Sequence, residues 1–443
     1  MYWHNNKKIL FVAPISVYGG GDIYFLDIIR GMKSRGYALE VWFFPRADQT
    51  GLGKFCDELK KAKVGYSVKP SPSGAYSRIV SQFCRGIKEL NPAIIHFNQG
   101  APSCNRLQMA AAYKLGIPFV STSHLPIINN GRARFGFPKT PLALREWCYP
   151  WEADSYITTT QRNAELMIVN QGISRSKIDV ISLGLDFEKF NRKDKNYQIF
   201  SAYDIKPHHF VIGSVGNLNA RKAQHIFIKA AATMKKRVLS KDIRFVLCGG
   251  GEREQELKEL IKECGIDDCF KLVGHIDRSL IPEVLGRFDI FCMSSDMEGQ
   301  VYTILEALRC GLPVVTTAAG GIENVEDGRN GFLVPKGDYN EMAKRLTQIV
   351  EDDVLREKMV DYAVSSIDAR YTLPVMLDKT EGVYEKVLSA APSRKRGGNF
   401  QFRYAIGEVL DFFYPVLYPF EKYVLQSAAK VKQRLTALRK EKI

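Results

Sequence analysis

Short apolar runs alternate with amphipathic stretches along most of the chain, and they do so in two series. In the first series the runs of strand length lie at residues 9–13, 39–44, 93–97, 118–122 and 157–160. Strands that alternate with helices pair in parallel, and helices then cover both faces of the sheet. The first series therefore predicts one α/β domain over residues 1–190.

The second series repeats this rhythm after a polar interval. Its strand-like runs begin at residues 210, 244, 271, 289 and 313. Residues 186–197, between the two series, are polar and unpatterned, which is typical of a linker. At 443 residues the chain is also too long for one ordinary core. The pattern predicts an α/β fold of two Rossmann-like domains, residues 1–190 and 205–385, that face each other across a cleft.

Two glutamates follow the predicted strand at residues 289–295. Glu298 precedes the turn at Gly299 and a predicted helix over residues 301–310, and Glu306 lies about two turns inside that helix. In open α/β sheets, ligands bind at the carboxyl ends of strands, where a helix N-terminus favours anions. The pair indicates a nucleotide-sugar site, although a solvated helix face with two glutamates has the same spacing.

The residues after this helix complete a known pattern. A predicted strand at residues 313–318 is followed by Gly320, Gly321 and the segment D-G-R-N-G-F-L-V-P at residues 327–335. With the two glutamates, these elements resemble the retaining glycosyltransferases of family 4, which carry E-x7-E, G-x-P-V-V, a Gly-Gly loop and D-G-x-x-G-x-L-V in that order. The resemblance implies the GT-B fold, in which two Rossmann-like domains face each other.

The resemblance also implies an activity. It implies transfer of a sugar from a UDP- or GDP-sugar donor to a glycan or lipid-linked acceptor, with retention of configuration and without a cofactor. The expected setting is the biosynthesis of cell-surface polysaccharide, lipopolysaccharide or glycolipid. Glu306 is then expected to bind the ribose hydroxyls, and Glu298, with Gly299, the hydroxyls of the donor sugar. The implied catalytic residues are Glu298 and His124.

A basic loop follows the first strand of the second domain. Residues 216–225, G-N-L-N-A-R-K-A-Q-H, resemble the family's G-R-L-x-x-x-K-G loop, whose Arg and Lys bind the donor diphosphate. Lys222 matches the Lys, Asn217 stands where the Arg is usual, Ala223 replaces the Gly, and Arg221 is expected to supply the second cation. Cations at this place stabilise the charge of a departing diphosphate. The sequence contains no D-x-D triplet, so no catalytic metal is expected.

The first domain adds a glycine-rich loop and a histidine. The loop at residues 19–21 permits close backbone approach and left-handed torsions, so Gly20 and Gly21 are predicted to meet the donor phosphates, or else the acceptor across the cleft. It lacks the G-x-G-x-x-G spacing of a dinucleotide site, which argues against NAD. His124 ends a predicted strand and resembles the family's active-site histidine near the donor sugar, whereas His96 is interpreted as a buried structural residue.

Composition indicates a cytoplasmic enzyme. The sequence contains no run of about 20 apolar residues that would span a bilayer. No long apolar segment with a cleavage site precedes the first predicted strand, so a cytoplasmic location is expected. The nine cysteines are scattered without a C-x-x-C pair, which is typical of reduced core residues rather than disulfides or zinc ligands.

The net charge of +15 is concentrated towards the C-terminus. Residues 394–443 contain eleven Lys and Arg residues against four Asp and Glu residues. They also contain an aromatic run at residues 412–420, and then apolar positions at the spacing of a basic amphipathic helix: Val424, Ala428, Val431, Leu435 and Leu438. This tail is predicted to bind an anionic membrane surface, peripherally on the inner face, or else to pack on protein. No nucleic-acid-binding motif accompanies the charge, so no nucleic acid partner is expected.

The identity of the acceptor is the property that the sequence determines least. Residues 127–141 are basic, aromatic and unpatterned, which suits a loop near lipid-linked or anionic glycans but equally suits an ordinary surface loop. Two rival functions stay open. One is a nucleotide-sugar epimerase of the same fold, and the other is an inactive nucleotide-sugar-binding scaffold at the membrane, which Asn217 makes conceivable.

Overall fold

The computed structural model describes residues 7–14, 19–44, 52–69, 76–99, 105–125, 152–191, 195–237 and 240–390. These residues form two parallel sheets, one in each half of the chain. The predicted α/β class with two Rossmann-like domains is therefore confirmed. The predicted tail at residues 394–443 and the predicted acceptor loop at residues 127–141 lie outside the described residues.

The first sheet has seven strands. They are β1 (Lys8–Ala13), β2 (Ala38–Phe43), β3 (Gly65–Val68), β4 (Ile94–Gln99), β5 (Phe119–Ser123), β6 (Ser155–Thr158) and β7 (Ile178–Val180). All pair in parallel, in the order β3-β2-β1-β4-β5-β6-β7. The α-helices among the described residues of this half are α1 (Gly20–Ser34), α2 (Leu52–Lys61), α3 (Tyr76–Leu90), α4 (Arg106–Leu115) and α5 (Gln161–Leu166).

The second sheet has six strands. They are β8 (Phe210–Val215), β9 (Ile243–Cys248), β10 (Phe270–Gly274), β11 (Ile290–Met293), β12 (Val314–Thr317) and β13 (Gly331–Val334). They are parallel, in the order β10-β9-β8-β11-β12-β13. The helices are α6 (Gln224–Lys235), α7 (Glu254–Glu263), α8 (Ile281–Arg287), α9 (Tyr302–Arg309), α10 (Tyr339–Glu351), α11 (Asp353–Ser366) and α12 (Leu373–Ala390).

The central strands β4 and β11 are buried along their whole length because helices cover both faces of each sheet, whereas the edge strand β3 buries none of its residues. Strand β1 buries every residue after Lys8. Its successive side chains enter cores on opposite sides, with Phe11 in one apolar cluster and Leu10 in another. Parallel sheets between two helix layers require such runs. For this reason the ten predicted runs locate the starts of ten strands to within two residues, whereas β3, β7 and β13 were not predicted.

The strand order of each sheet reverses at one point. In the first sheet the reversal lies between β1 and β4, and in the second it lies between β8 and β11. The loops that leave neighbouring strands at such a point diverge, and they open a crevice at the carboxyl ends of the strands. The loop at residues 19–21 follows β1 and Glu298 follows β11, so both predicted site segments border these crevices.

Helix α12 returns to the first domain. The phenolic oxygen of Tyr384 lies 2.6 Å from Nδ1 of His96, which is fully buried in β4 as expected of a structural histidine. Leu377 packs tightly against Gly31 of α1. The predicted second domain, residues 205–385, includes most of this helix, but the structure packs it on the first domain. Its apolar face fits α1, and a linear pattern does not show which domain such a face will cover.

The chain crosses between the domains twice, and the two crossings are hydrogen bonded to each other. The N–H of Leu185 donates to the carbonyl of Tyr371 at 2.7 Å, and the N–H of Leu373 donates to the carbonyl of Leu185 at 3.0 Å. The predicted linker at residues 186–197 starts here. It is not wholly exposed, because Phe190 is buried in the core.

The described part of the chain also bears on the predictions for membrane-spanning segments and for cysteines. Within it, no helix combines the length and apolar character needed to cross a membrane. Its seven cysteines form no disulfide with one another, and all are buried except Cys264, which is half-buried. This arrangement agrees with the interpretation of reduced core cysteines.

We expect Gly31→Ala to destabilise the protein, because an added Cβ would lie 2.3 Å from Cδ1 of Leu377. Overpacking of this kind lowers the free energy of unfolding by about 1–3 kcal/mol. Gly53→Ala is the matched control, since Gly53 lies in α2 with no atom within 4 Å of its added Cβ, and there alanine should stabilise by up to about 1 kcal/mol. Urea denaturation measures both, and equal effects would contradict the tight contact between α1 and α12.

Candidate functional site

A cleft lies between the carboxyl ends of the two sheets. It contains a cavity of about 1060 Å³, lined from the first domain by the glycine loop and His124. The second domain contributes Arg221, Lys222 and Glu298. Clefts that bind small molecules typically measure about 300–1,000 Å³, so this cavity has room for a ligand as large as a nucleotide sugar. The cleft brings together predicted residues from both halves of the sequence.

Glu298 lies between two cations. Its Oε2 accepts from Nη1 of Arg221 at 2.6 Å, and its Oε1 lies 2.7 Å from Nζ of Lys222. The same Arg221 nitrogen also donates to the carbonyl of Met297 at 2.9 Å. Glu298 is 8% exposed and so lies at the floor of the cleft, whereas the Arg221 side chain is 38% exposed and reaches towards solvent. The group carries two positive charges and one negative charge, which leaves it net positive.

The cations keep Glu298 ionised. Burial alone would raise the pKa of the Glu298 carboxyl, but the charges of Lys222 and Arg221 outweigh it and hold that pKa below its ordinary value. The carboxylate therefore carries its charge throughout the neutral range. Breaking such a buried pair by removing one partner is costly, because the remaining charge stays buried.

The loop that carries the cations is tightly built. Residues Ala220–Lys222 form a short 3-10 helix, whose N-cap Asn219 accepts the N–H of Lys222 at 3.2 Å. Ala223, at the place where the family has glycine, adopts a left-handed φ of +46°. This conformation costs an L-residue roughly 1–2 kcal/mol, which explains why glycine is usual there. Asn217, in place of the usual Arg, also lines the cleft.

Glu306 is present in α9 but does not line the cleft. It is fully buried and forms an ion pair with Arg278, which follows β10 and does line the cleft. The Arg278 guanidinium lies 5.6 Å from the Phe190 ring centroid and 5.4 Å from that of Tyr302. Arg278 thus covers the carboxylate predicted to bind ribose. That role stays a prediction, and it requires Arg278 to move.

A polar contact joins the two domains beside this pair. Oδ2 of Asp27, on α1, accepts from the hydroxyl of Tyr302, on α9, at 3.2 Å. Burial raises the pKa of the Asp27 carboxyl to about 6, against the opposing attraction of Arg278. Sequence reasoning missed all three residues. The position of Arg278 after a strand's carboxyl end was an available signal, whereas Asp27 and Tyr302 sit inside amphipathic helices without one.

The glycines of the site are explained by close approach rather than by left-handed torsions. Helix α1 begins at Gly20, and Gly19 caps it with a φ of −134°, so the expected left-handed torsion is wrong for these residues. A Cβ on Gly21 would lie 3.0 Å from Cδ2 of His124, and one on Gly299 would lie 2.2 Å from the His124 carbonyl oxygen. The backbones of the two domains therefore meet at His124.

His124 is held on several sides. Its Nε2 lies 2.7 Å from Oδ1 of Asn98, and its carbonyl accepts from Nδ2 of Asn163 at 3.3 Å. The ring of Tyr24 contacts it edge-on at 5.1 Å between centroids. Burial lowers the pKa of His124 to about 4, so the ring is neutral near pH 7. The sequence predicted His124 but not its partner Asn98.

One cluster of metal-ligand type lies at the amino ends of β8 and β9, away from the cleft. Among the residues that the structure describes, His208, His209 and Asp242 alone have suitable spacing. Nδ1 of His209 accepts the N–H of Lys206 at 2.9 Å, so the neutral ring carries its proton on Nε2. That nitrogen faces Asp242 at 3.4 Å and has no lone pair to offer a cation.

Two family profiles match the chain, one in each domain. Residues 18–189 match Glycosyltransferase Family 4, and residues 196–365 match Glycosyl transferases group 1. A D-inositol 3-phosphate glycosyltransferase of Kribbella flavida is 26% identical over 386 residues, which cover 80% of this chain and 89% of the relative.

Solved structures show the same fold. Anabaena HepE in complex with UDP-glucose superposes with a TM-score of 0.71 at 22% identity, covering 86% of this chain and all of HepE. The lipopolysaccharide outer core galactosyltransferase WaaB, in its apo form, gives a TM-score of 0.63 at 19% identity, covering 86% of this chain and 99% of WaaB. The two-domain GT-B arrangement is thereby confirmed.

Asp27 should make stability depend on pH. Its folded-state pKa of about 6 lies above the ordinary 3.8. The stability it contributes is therefore present at low pH and lost as pH rises through about 6. We expect the melting temperature of Asp27→Asn, relative to wild type, to be higher at pH 7 than at pH 5. Exposed Asp267→Asn is the control, and a pH-independent difference for Asp27→Asn would show that the carboxyl titrates normally.

Proposed function

We propose that this chain, which belongs to the retaining glycosyltransferases of family 4, transfers a sugar from a UDP- or GDP-sugar to a glycan or lipid-linked acceptor. The expected setting is the synthesis of a cell-surface polysaccharide or glycolipid. The observation that carries the proposal is the group of Arg221, Lys222 and Glu298 at the cleft floor, where the loops after β8 and β11 converge.

The net positive charge of this group suits a diphosphate. A nucleoside diphosphate gains negative charge as it leaves the sugar, and fixed cations lower the barrier to that step. Arg221 and Lys222 already lie in position, because Glu298 holds them by 2.6 and 2.7 Å contacts. When the phosphates take up part of this positive charge, Glu298 is freed to accept hydrogen bonds from the hydroxyls of the donor sugar.

The ribose is proposed to bind Glu306 after Arg278 moves aside. Oε2 of Glu306 is buried and has no hydrogen-bond partner among the described residues. A ribose hydroxyl would satisfy it, since vicinal hydroxyls are good donors to a carboxylate. The displaced Arg278 remains near a second carboxylate, Asp27, which already interacts with it electrostatically.

The proposed reaction retains the anomeric configuration. The bond between the anomeric carbon and the phosphate oxygen breaks, and the departing phosphate takes the proton of the acceptor hydroxyl that attacks from the same face. Closure of the cleft excludes water and so limits hydrolysis of the donor. His124 is assigned to orientation near the anomeric centre, and no residue of this chain is assigned to a metal.

The acceptor class is supported by chemistry that relatives share. The name of the Kribbella flavida relative specifies an inositol phosphate acceptor, and that of WaaB specifies lipopolysaccharide outer core. Inositol and the sugars of an outer core are both rich in hydroxyl groups. We extend this property to the present chain as a proposal, together with peripheral binding of its basic tail to an anionic membrane.

Donor and acceptor are tested together. Purified protein is incubated with UDP-, GDP- and ADP-sugars, each alone, with D-inositol 3-phosphate and with membrane-lipid extract, and release of nucleoside diphosphate is followed. We expect release of nucleoside diphosphate to require lipid extract. NMR of the product should show the same anomeric configuration, axial or equatorial, as in the donor. Release that needs no acceptor, with an altered donor sugar, would indicate an epimerase, and binding without release would indicate an inactive scaffold.

Variants at Glu306 and Arg278 should change donor affinity in opposite directions. Glu306→Gln removes a charged hydrogen-bond acceptor from ribose, so the donor Kd should rise about 10-fold to 100-fold. Arg278→Met removes the competitor for Glu306, so Kd should stay equal or fall. Calorimetry with the active donor measures both, with Glu263→Gln, at an exposed site on α7, as control. Equal weakening by both variants would show that Arg278 itself holds the donor.

A further inference from the structure

Asn98 links the glycine loop to His124. It lies in β4, next to the strand end that borders the cleft, and is 3% exposed. Its Nδ2 donates to the carbonyl of Gly21 at 3.4 Å, and its Oδ1 lies 2.7 Å from Nε2 of His124. A buried amide with both ends engaged has a fixed orientation.

The Gly21 carbonyl decides which way this amide points. A carbonyl accepts but cannot donate, so it requires the NH₂ end of Asn98 on its side. The Asn98 oxygen then faces His124 and requires a proton on Nε2. A neutral imidazole carries one proton, so Nδ1 of His124 keeps its lone pair. The backbone of the glycine loop thus sets the tautomer of a histidine more than one hundred residues away in sequence.

The free nitrogen of His124 lies on the ring edge opposite the one that approaches Gly21. The ring edge formed by Cδ2 and Nε2 of His124 is the one that approaches Gly21. Nδ1 lies on the other side of the ring, and His124 lines the cleft. No hydrogen bond engages Nδ1 among the residues that the structure describes.

We infer that Asn98 is a positioning residue that holds His124 as the Nε2–H tautomer, so that Nδ1 accepts a hydrogen bond from a hydroxyl of the donor sugar. The inference rests on the proposed function, because it gives His124 a sugar hydroxyl as its ligand. It deepens that function by fixing the direction of the hydrogen bond. A neutral ring with a lone pair on Nδ1 recognises a hydroxyl, whereas it would repel a phosphate oxygen.

The groups around His124 keep its imidazole ring neutral near pH 7. The titratable groups against it are Tyr24, on α1, and His96, on β4. Burial raises the pKa of Tyr24 far above neutrality and lowers the pKa of His96 to about 3. Both neighbours are therefore uncharged near pH 7, and neither stabilises an imidazolium at His124.

The tautomer is read directly by NMR, without any substrate. Protein labelled with ¹⁵N-histidine is studied by long-range ¹H–¹⁵N correlation near pH 7, and the His124 signals are assigned by their loss in His124→Gln. We expect a protonated Nε2 and an unprotonated Nδ1. A protonated Nδ1 would overturn the inference whether or not the protein is an active transferase.

Two variants separate positioning from mere structural support. Asn98→Ala removes the acceptor for Nε2–H, and we expect kcat to fall about 10- to 100-fold at every pH, since small misplacements of reacting groups cost this much. Asn98→Asp keeps an acceptor but adds a negative charge, which raises the pKa of His124. Its kcat should therefore be low at acidic pH and recover as pH rises.

Asn105→Gly is the matched control. Asn105 is buried, and its Nδ2 donates at 2.9 Å to the backbone carbonyl of Asn98, so its loss leaves the Asn98 side chain engaged. Glycine tolerates the left-handed φ of +62° at this position. We expect wild-type kcat and pH profile from this control. Equal losses in all three variants, with unchanged pH profiles, would reduce Asn98 to a structural role.

Failure of the inference is distinguishable from failure of the proposed function. If wild-type protein transfers no sugar from any donor, the function fails, while the NMR result still decides the tautomer. If wild type is active and Asn98→Ala keeps full kcat, the function stands and the positioning role of Asn98 is wrong.

Discussion

The buried carboxylate of Glu298 is the charge on which the cleft depends. Arg221 and Lys222 come from the loop after β8 and would repel each other if they stood alone. Glu298 comes from the loop after β11, the neighbouring strand, and its two oxygens hold one cation each. Because a buried charge is costly without partners, Glu298 requires the two cations, and it fixes where they lie. The result is a preorganised cationic site that needs no ligand to form.

The second constraint is the approach of the two domains at His124. Gly21 and Gly299 come from different domains, and each leaves room where a Cβ would collide with His124. Side chains at these positions would separate the backbones and widen the cleft. Gly299 therefore acts across the cleft and Gly21 within the first domain, and neither acts through a left-handed torsion.

Much of the fold was predictable because parallel strands buried on both faces leave continuous apolar runs. Glu298, Arg221 and Lys222 were predictable from motifs near strand ends, and the structure places them together. Asp27 and Asn98 were not, since each acquires its partner only through tertiary contact, Asp27 with Tyr302 of the other domain and Asn98 with Gly21 of its own. Arg278 follows a strand end, but its pairing with Glu306 shows only in the structure. The return of α12 to the first domain was missed for the same reason, because a helix pattern shows an apolar face but not what it will cover.

The paired crossings between the domains determine what kind of motion the cleft allows. Leu185 bonds in both directions to the segment at Tyr371 and Leu373, so the two covalent connections form one two-stranded ribbon. A single flexible linker would let the halves tumble independently. A ribbon resists sliding and shear, yet bends readily across its width. We therefore expect the two domains to pivot where the crossings lie side by side, since both connections must bend at the same place.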